Sequence, residues 1–121
     1  MASCVMIFLP TTGSTDNRHI LQMGSGYVFE LPAKSPQVMS NPFIWEVKAD
    51  CIIDAKVDMF DVSFQVTRKK GTLNGRKMST GELIILSFSP HDKVKITAQA
   101  GAEVILTNLG DSPAYATCLV S

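Results

Sequence analysis

Histidine is nearly missing from this chain. His19 and His91 are the two in 121 residues, which leaves little for a metal site or a general-base mechanism to use. Aromatic residues are sparse, with one Trp and two Tyr. Charge is low and balanced, Lys+Arg 11 against Asp+Glu 11, so the chain is not adapted as a whole to a polyanion. With 45% hydrophobic residues it is not a disordered chain either. Cysteine is limited to Cys4, Cys51 and Cys118, an odd number at spacings that match no zinc ribbon, redox pair or secreted scaffold. They read as buried thiols, consistent with a cytosolic site of synthesis. Long apolar runs are absent. The stretch 4–9, Cys-Val-Met-Ile-Phe-Leu, falls far short of the roughly 20 residues a bilayer span needs. No basic residue precedes it and no cleavage pattern follows, so it is expected to be a first strand and not a signal peptide. No membrane partner is expected.

Helical periodicity is also lacking. What is present is punctuation by Gly, Pro, Asn, Asp and Ser about every ten residues, separating short apolar or alternating runs. The runs predict strands at 3–9, 26–31, 43–48, 52–59, 60–68, 82–88, 93–99, 103–108 and 114–120. The expected fold is all-β, a jelly-roll-like antiparallel β-sandwich of about eight to nine strands, in one domain over 1–121. Residues 10–42, rich in Pro and Gly, are expected to form loops or arms.

The middle of the chain is the most regular. Ile53, Ala55, Val57 and Met59 alternate with Asp54, Lys56 and Asp58; then the phase slips, and Phe60, Val62, Phe64 and Val66 carry the apolar face. Such a slip fits a β-bulge at Met59-Phe60, or two strands joined by a sharp bend. The run Leu83-Ile84-Ile85-Leu86 lacks alternation, as a central strand covered on both faces would. Lys93 to Ala100 alternates and ends in small residues.

No constellation for catalysis emerges. The cupin enzymes, jelly rolls that hold a metal with a His-x-His pair, a carboxylate and a further His, are the natural comparison, and no His-x-His occurs here. His91 lies in Ser89-Pro90-His91-Asp92, a turn. A nucleophile elbow is lacking, and Gly71-Thr72-Leu73-Asn74-Gly75-Arg76-Lys77 does not have the spacing of a phosphate-binding loop. No catalytic residue, metal or cofactor is expected, and the chain is read as a non-enzyme.

Two charged clusters are candidates for protein contact. Arg68, Lys69, Lys70, Arg76 and Lys77 surround an Asn74-Gly75 turn and predict a hairpin with a positive patch. No aromatics interleave with them, which argues against nucleic acid. Asp54, Asp58 and Asp61 precede the hairpin, and an acidic strand of one subunit could meet the basic hairpin of another. Trp45, in Phe43-Ile44-Trp45-Glu46-Val47, is expected in the core and not on a sugar-binding platform.

In its size, free cysteines, neutral balance, arm-like 10–42 region and want of catalytic groups, the chain resembles the small β-sandwich decoration or cement proteins of tailed-bacteriophage capsids. The resemblance implies a non-enzymatic virion protein, assembled in the host cytoplasm, that self-associates and clamps major capsid protein subunits. A carbohydrate- or small-ligand-binding β-sandwich module is the alternative.

Overall fold

The computed structural model describes residues 18–21 and 23–121, and the strand expected at 3–9 lies outside them. The described chain is all-β: β1 (Arg18–Ile20), β2 (Gly24–Leu31), β3 (Pro36–Ser40), β4 (Val47–Ala55), β5 (Phe60–Arg68), β6 (Lys70–Leu73), β7 (Arg76–Ser79), β8 (Leu83–Phe88), β9 (Lys93–Ala98), β10 (Glu103–Asn108) and β11 (Ala114–Val120). One sheet runs β1-β3-β10-β5-β8 and the other β2-β11-β4-β9-β6-β7. All pairings are antiparallel except β1 with β3, which is parallel.

The pairing is nested. β2 lies beside β11, β3 beside β10, β4 beside β9, β5 beside β8 and β6 beside β7. This is a long two-stranded ribbon, rolled so that successive strands fall in alternate sheets, which is a jelly roll. Its tip is the two-residue turn Asn74-Gly75, with positive φ at both positions, 51° and 83°. That is the turn whose twist suits a tight hairpin, and Asn-Gly adopts it at least cost. Asn74 also ties the tip to the neighbouring strand: its N–H donates to the Lys95 carbonyl and its Oδ1 accepts from the Lys95 N–H, each at 2.8 Å.

Rolling explains the phase slip. β4 belongs to the six-stranded sheet and β5 to the five-stranded one, so Val47, Ala49, Cys51 and Ile53 meet Phe60, Val62, Phe64 and Val66 across one core. There is no bulge at Met59-Phe60. The chain crosses between sheets there, and the step from Ile53 to Phe60 leaves both halves facing inward.

Three further expectations are corrected. The described part of 10–42 holds three strands and is not mainly loop; Pro36 opens β3, a position that needs no ladder donor. β8 is an edge strand and not a central one: Leu83 and Ile85 are half exposed on its outer side, while Ile84, Leu86 and Phe88 face in. A run without alternation can thus come from apolar residues on a solvent face. Cys51 and Cys118 are not thiols. They sit directly opposite each other on β4 and β11, Cα atoms 4.1 Å apart, both inward, and form a disulfide. The free-thiol premise for cytosolic synthesis falls with this, since such bonds persist in oxidising surroundings. Cys4 lies outside the described residues.

Two buried asparagines close the ends of the roll. Asn108, fully buried, donates to the carbonyls of Leu31 and Ser112 and accepts from the Gly110 N–H, pinning the turn into β11. Asn41 donates to the carbonyls of Trp45, Ala98 and Gln99 and accepts from the Phe43 N–H. Each satisfies main-chain groups that the crossing loops would otherwise bury unpaired.

The disulfide spans 67 residues of sequence, so in the chain-entropy account it stabilises the fold by about 4.4 kcal/mol. Reduction, or the double change Cys51→Ala and Cys118→Ala, is expected to lower the melting temperature by about 10 °C or more. Calorimetry with and without reductant checks this.

Candidate functional site

The inner faces are not filled evenly. Toward the end where β3 crosses to β4 and β9 to β10, the inward positions carry Ala49, Gly71, Ala98 and Ala102, where the other end of the core has Phe60 and Phe88. Gly71 is required by a close approach: a Cβ there would stand 2.2 Å from the Thr97 carbonyl oxygen. Between these small residues, Met39, Val66, Met78 and Ile96 border a cavity of about 50 Å³. A second cavity of about 20 Å³ continues from it, sharing Met39, Phe64 and Ile96 as walls. It reaches His19, Gln37 and the disulfide.

The polar residues around the larger cavity are Asn41, Lys70, Thr72, Thr97 and Glu103, and their side chains are engaged or turned away. Asn41 is saturated by the loop it pins. The hydroxyls of Thr72 and Thr97 bond each other at 2.6 Å, on the outer side of their strands. Lys70 follows the same outward alternation, two residues before Thr72 and beside Ser79. Glu103 lies on the outer face of the other sheet, where its carboxylate accepts from Thr67, Arg18 and Ser40. Hydrocarbon and thioether therefore face the space. In the smaller cavity His19 Nε2 and Gln37 Oε1 are 2.8 Å apart, and Gln37 Nε2 donates to Ser35. His19 packs edge-on against Phe29.

The residues singled out in the sequence lie elsewhere. Arg76 and Lys77 are at or next to the hairpin tip, whereas Arg68, Lys69 and Lys70 are at its base, at the other end of the strands. Asp54 is on the outer face of the six-stranded sheet and accepts from its neighbour's N–H. Asp58 is in the crossing loop, and Asp61 is on the outer face of the five-stranded sheet, bonded to Ser87. The acidic residues thus do not make one strand face. Trp45 is also not in the core. It is 51% exposed, in the loop held by Asn41, with its ring stacked on Phe43 at 4.9 Å. His91 is in its turn, exposed, with φ at 72°. Among the described residues, no three of His, Cys, Asp and Glu gather in a group able to hold a metal.

No family model matches the chain, and no curated protein does. Among solved structures, the chain is similar to a dTDP sugar isomerase from Desulfovibrio desulfuricans G20, with 16% identity and a TM-score of 0.43 over 83% of this chain. The alignment spans 58% of that chain. The capsid expectation finds no support in this comparison and is not carried forward. A likeness of this size bears on no residue.

Hydrogen bonds from Thr67, with Arg18 and Ser40 beside them, hold the Glu103 carboxyl below the usual carboxylate range. A depressed pKa stabilises the fold at pH values above the unfolded one, and that contribution is lost as pH falls through the folded value. The stability difference between the native protein and Glu103→Gln is expected to be largest at neutral pH. It should shrink toward zero as the pH is lowered below about 4, as read by urea unfolding across a pH series.

Proposed function

We propose that the chain is a small-ligand-binding β-sandwich module whose ligand is an apolar small molecule held between the two sheets. The observation that carries this is the cavity walled by hydrocarbon, at a place where three alanines point inward. Protein interiors are close-packed, and space left beside Ala49, Ala98 and Ala102 costs dispersion contacts that an apolar guest restores. Its size suits a guest of about one to three heavy atoms, smaller than benzene. A polar guest would meet no free partner there and would lose its hydration for nothing. No reaction is assigned to the module.

A panel of small apolar guests, xenon and cyclopropane among them, is expected to raise the melting temperature in proportion to the logarithm of concentration. Matched polyols should leave it unmoved. Ala98→Leu fills the space and is expected to abolish the shift while changing intrinsic stability by about 1–3 kcal/mol or less. A blank panel, or a shift that survives Ala98→Leu, overturns the proposal.

One observation favours carbohydrate instead: the half-exposed Trp45 ring, stiffened from behind by Phe43 and by the Asn41 clamp, offers a flat face on which a sugar can stack. On that reading a glycan array gives hits that Trp45→Ala removes and Ala98→Leu leaves intact.

A further inference from the structure

The outer face of the six-stranded sheet is divided into an apolar centre and two charged sides. By register, Val28, Thr117 and Ile52 lie in one row across β2, β11 and β4, with Tyr115 and Leu119 two residues to either side on β11. Val28 is 61% exposed, Ile52 47%, Tyr115 41% and Leu119 48%. Four large apolar side chains standing together in water on a regular sheet call for a cover. On one side of them are Glu30 and Asp54, in the row of Tyr115; on the other are Lys93, Lys95 and Lys48, reached through Ile52, Asp50 and Thr97. None of these five charges is in an ion pair within the described chain, whose pairs are Arg18 with Glu103 and Lys34 with Asp111.

This division is self-complementary. Strands are about 4.8 Å apart and rise about 3.4 Å per residue. On that grid, a twofold axis lying in the sheet plane and passing through Ile52, square to the line from the acidic to the basic side, maps the face onto itself. Ile52 meets Ile52 of the second copy. Val28 falls on Leu119, Asp54 between Lys93 and Lys95, and Glu30 beside Lys48. Asp50, the carboxylate on the lysine side, falls near Tyr115 and not on another acid. A twofold contact is isologous, so a patch pairs stably with itself only if its charges are opposed across the axis in this way. We infer that this face binds a second copy of the chain, forming a face-to-face dimer with an apolar centre and a rim of charge pairs. The contact is independent of the cavity, which lies on the other side of the same sheet.

Sedimentation velocity over a concentration series tests the inference. The full chain is expected to dimerise in the micromolar range. Ile52→Lys, on an exposed position, should weaken the dimer by at least about tenfold with an unchanged far-ultraviolet spectrum. Asp54→Lys should weaken it by about threefold to tenfold, as should the pair Lys93→Asp with Lys95→Asp, and the three together should bring it back to within about threefold of the native value. Recovery on combining the swaps is a result that general loss of folding does not give. A chain that stays monomeric at several hundred micromolar overturns the inference. So does a dimer indifferent to Ile52→Lys, or a lack of recovery in the combined variant.

Discussion

Each strand of this protein has one dry side, and the chain satisfies that condition by handing successive strands to opposite sheets. The rest of the architecture depends on this constraint. Because the ribbon is folded back at Asn74-Gly75 and paired inward to outward, every crossing must leave the apolar residues of both strands pointing at the same interior. The step from Ile53 to Phe60 achieves it for β4 and β5. Other crossings need partners for main-chain groups that leave the ladders, and Asn41 and Asn108 serve there, one at each end. A hydrophobic residue at either position would leave several carbonyls buried without a donor, each costing about 1–3 kcal/mol.

The same constraint sets how much of the fold could be read in the sequence. Alternation at Phe60 to Val66 marks one half-buried strand without ambiguity and Asn-Gly between short polar runs marks the hairpin, whereas the expected strands 43–48 and 52–59 are in fact the single strand Val47–Ala55. β8 misled because its outer residues, Leu83 and Ile85, are apolar although solvent reaches them; periodicity cannot tell an apolar residue that is covered from one that is not. β3 was hidden by its polar and proline residues, and its inward Gln37 is tolerated because its side chain bonds His19 and Ser35. The Cys51–Cys118 bond depends on register between strands far apart in sequence, which spacing alone does not encode. Trp45 was misplaced for a related reason: its alternation with Phe43 and Val47 suggests a strand, but the Asn41 clamp holds that segment as a loop.

The candidate site was less legible than the fold, for it consists of missing volume. Small residues at the end of β9 are visible in the sequence, but their meaning depends on what faces them. Ala98 lies opposite Val47 and Gly71, and Ala49 opposite Ile96. Where an alanine is faced by a large side chain the space closes; where small residues gather from neighbouring strands and from the β9–β10 turn it stays open. The charged clusters drew notice because charge is conspicuous in a sequence with little of it, yet rolling separates Arg68 from Arg76 along the strands and Asp54 from Asp61 onto opposite faces.

One sheet thus presents two apolar surfaces under different constraints. Its inner surface faces the other sheet across the core, so any guest must fit a volume and need bring no charge. Its outer surface is open and nearly flat, so volume selects nothing there, and discrimination falls to where the charges stand around Ile52. Like charges opposed across an apolar contact cost more than exposed pairs return, and a face with acids on one side and lysines on the other accepts its own copy in one orientation while resisting others. A uniformly basic hairpin, the feature most evident in the sequence, has no such property: it attracts any acidic surface and repels itself. The division of charge across the sheet, set by the register of β2, β11, β4 and β9, is what makes the contact specific.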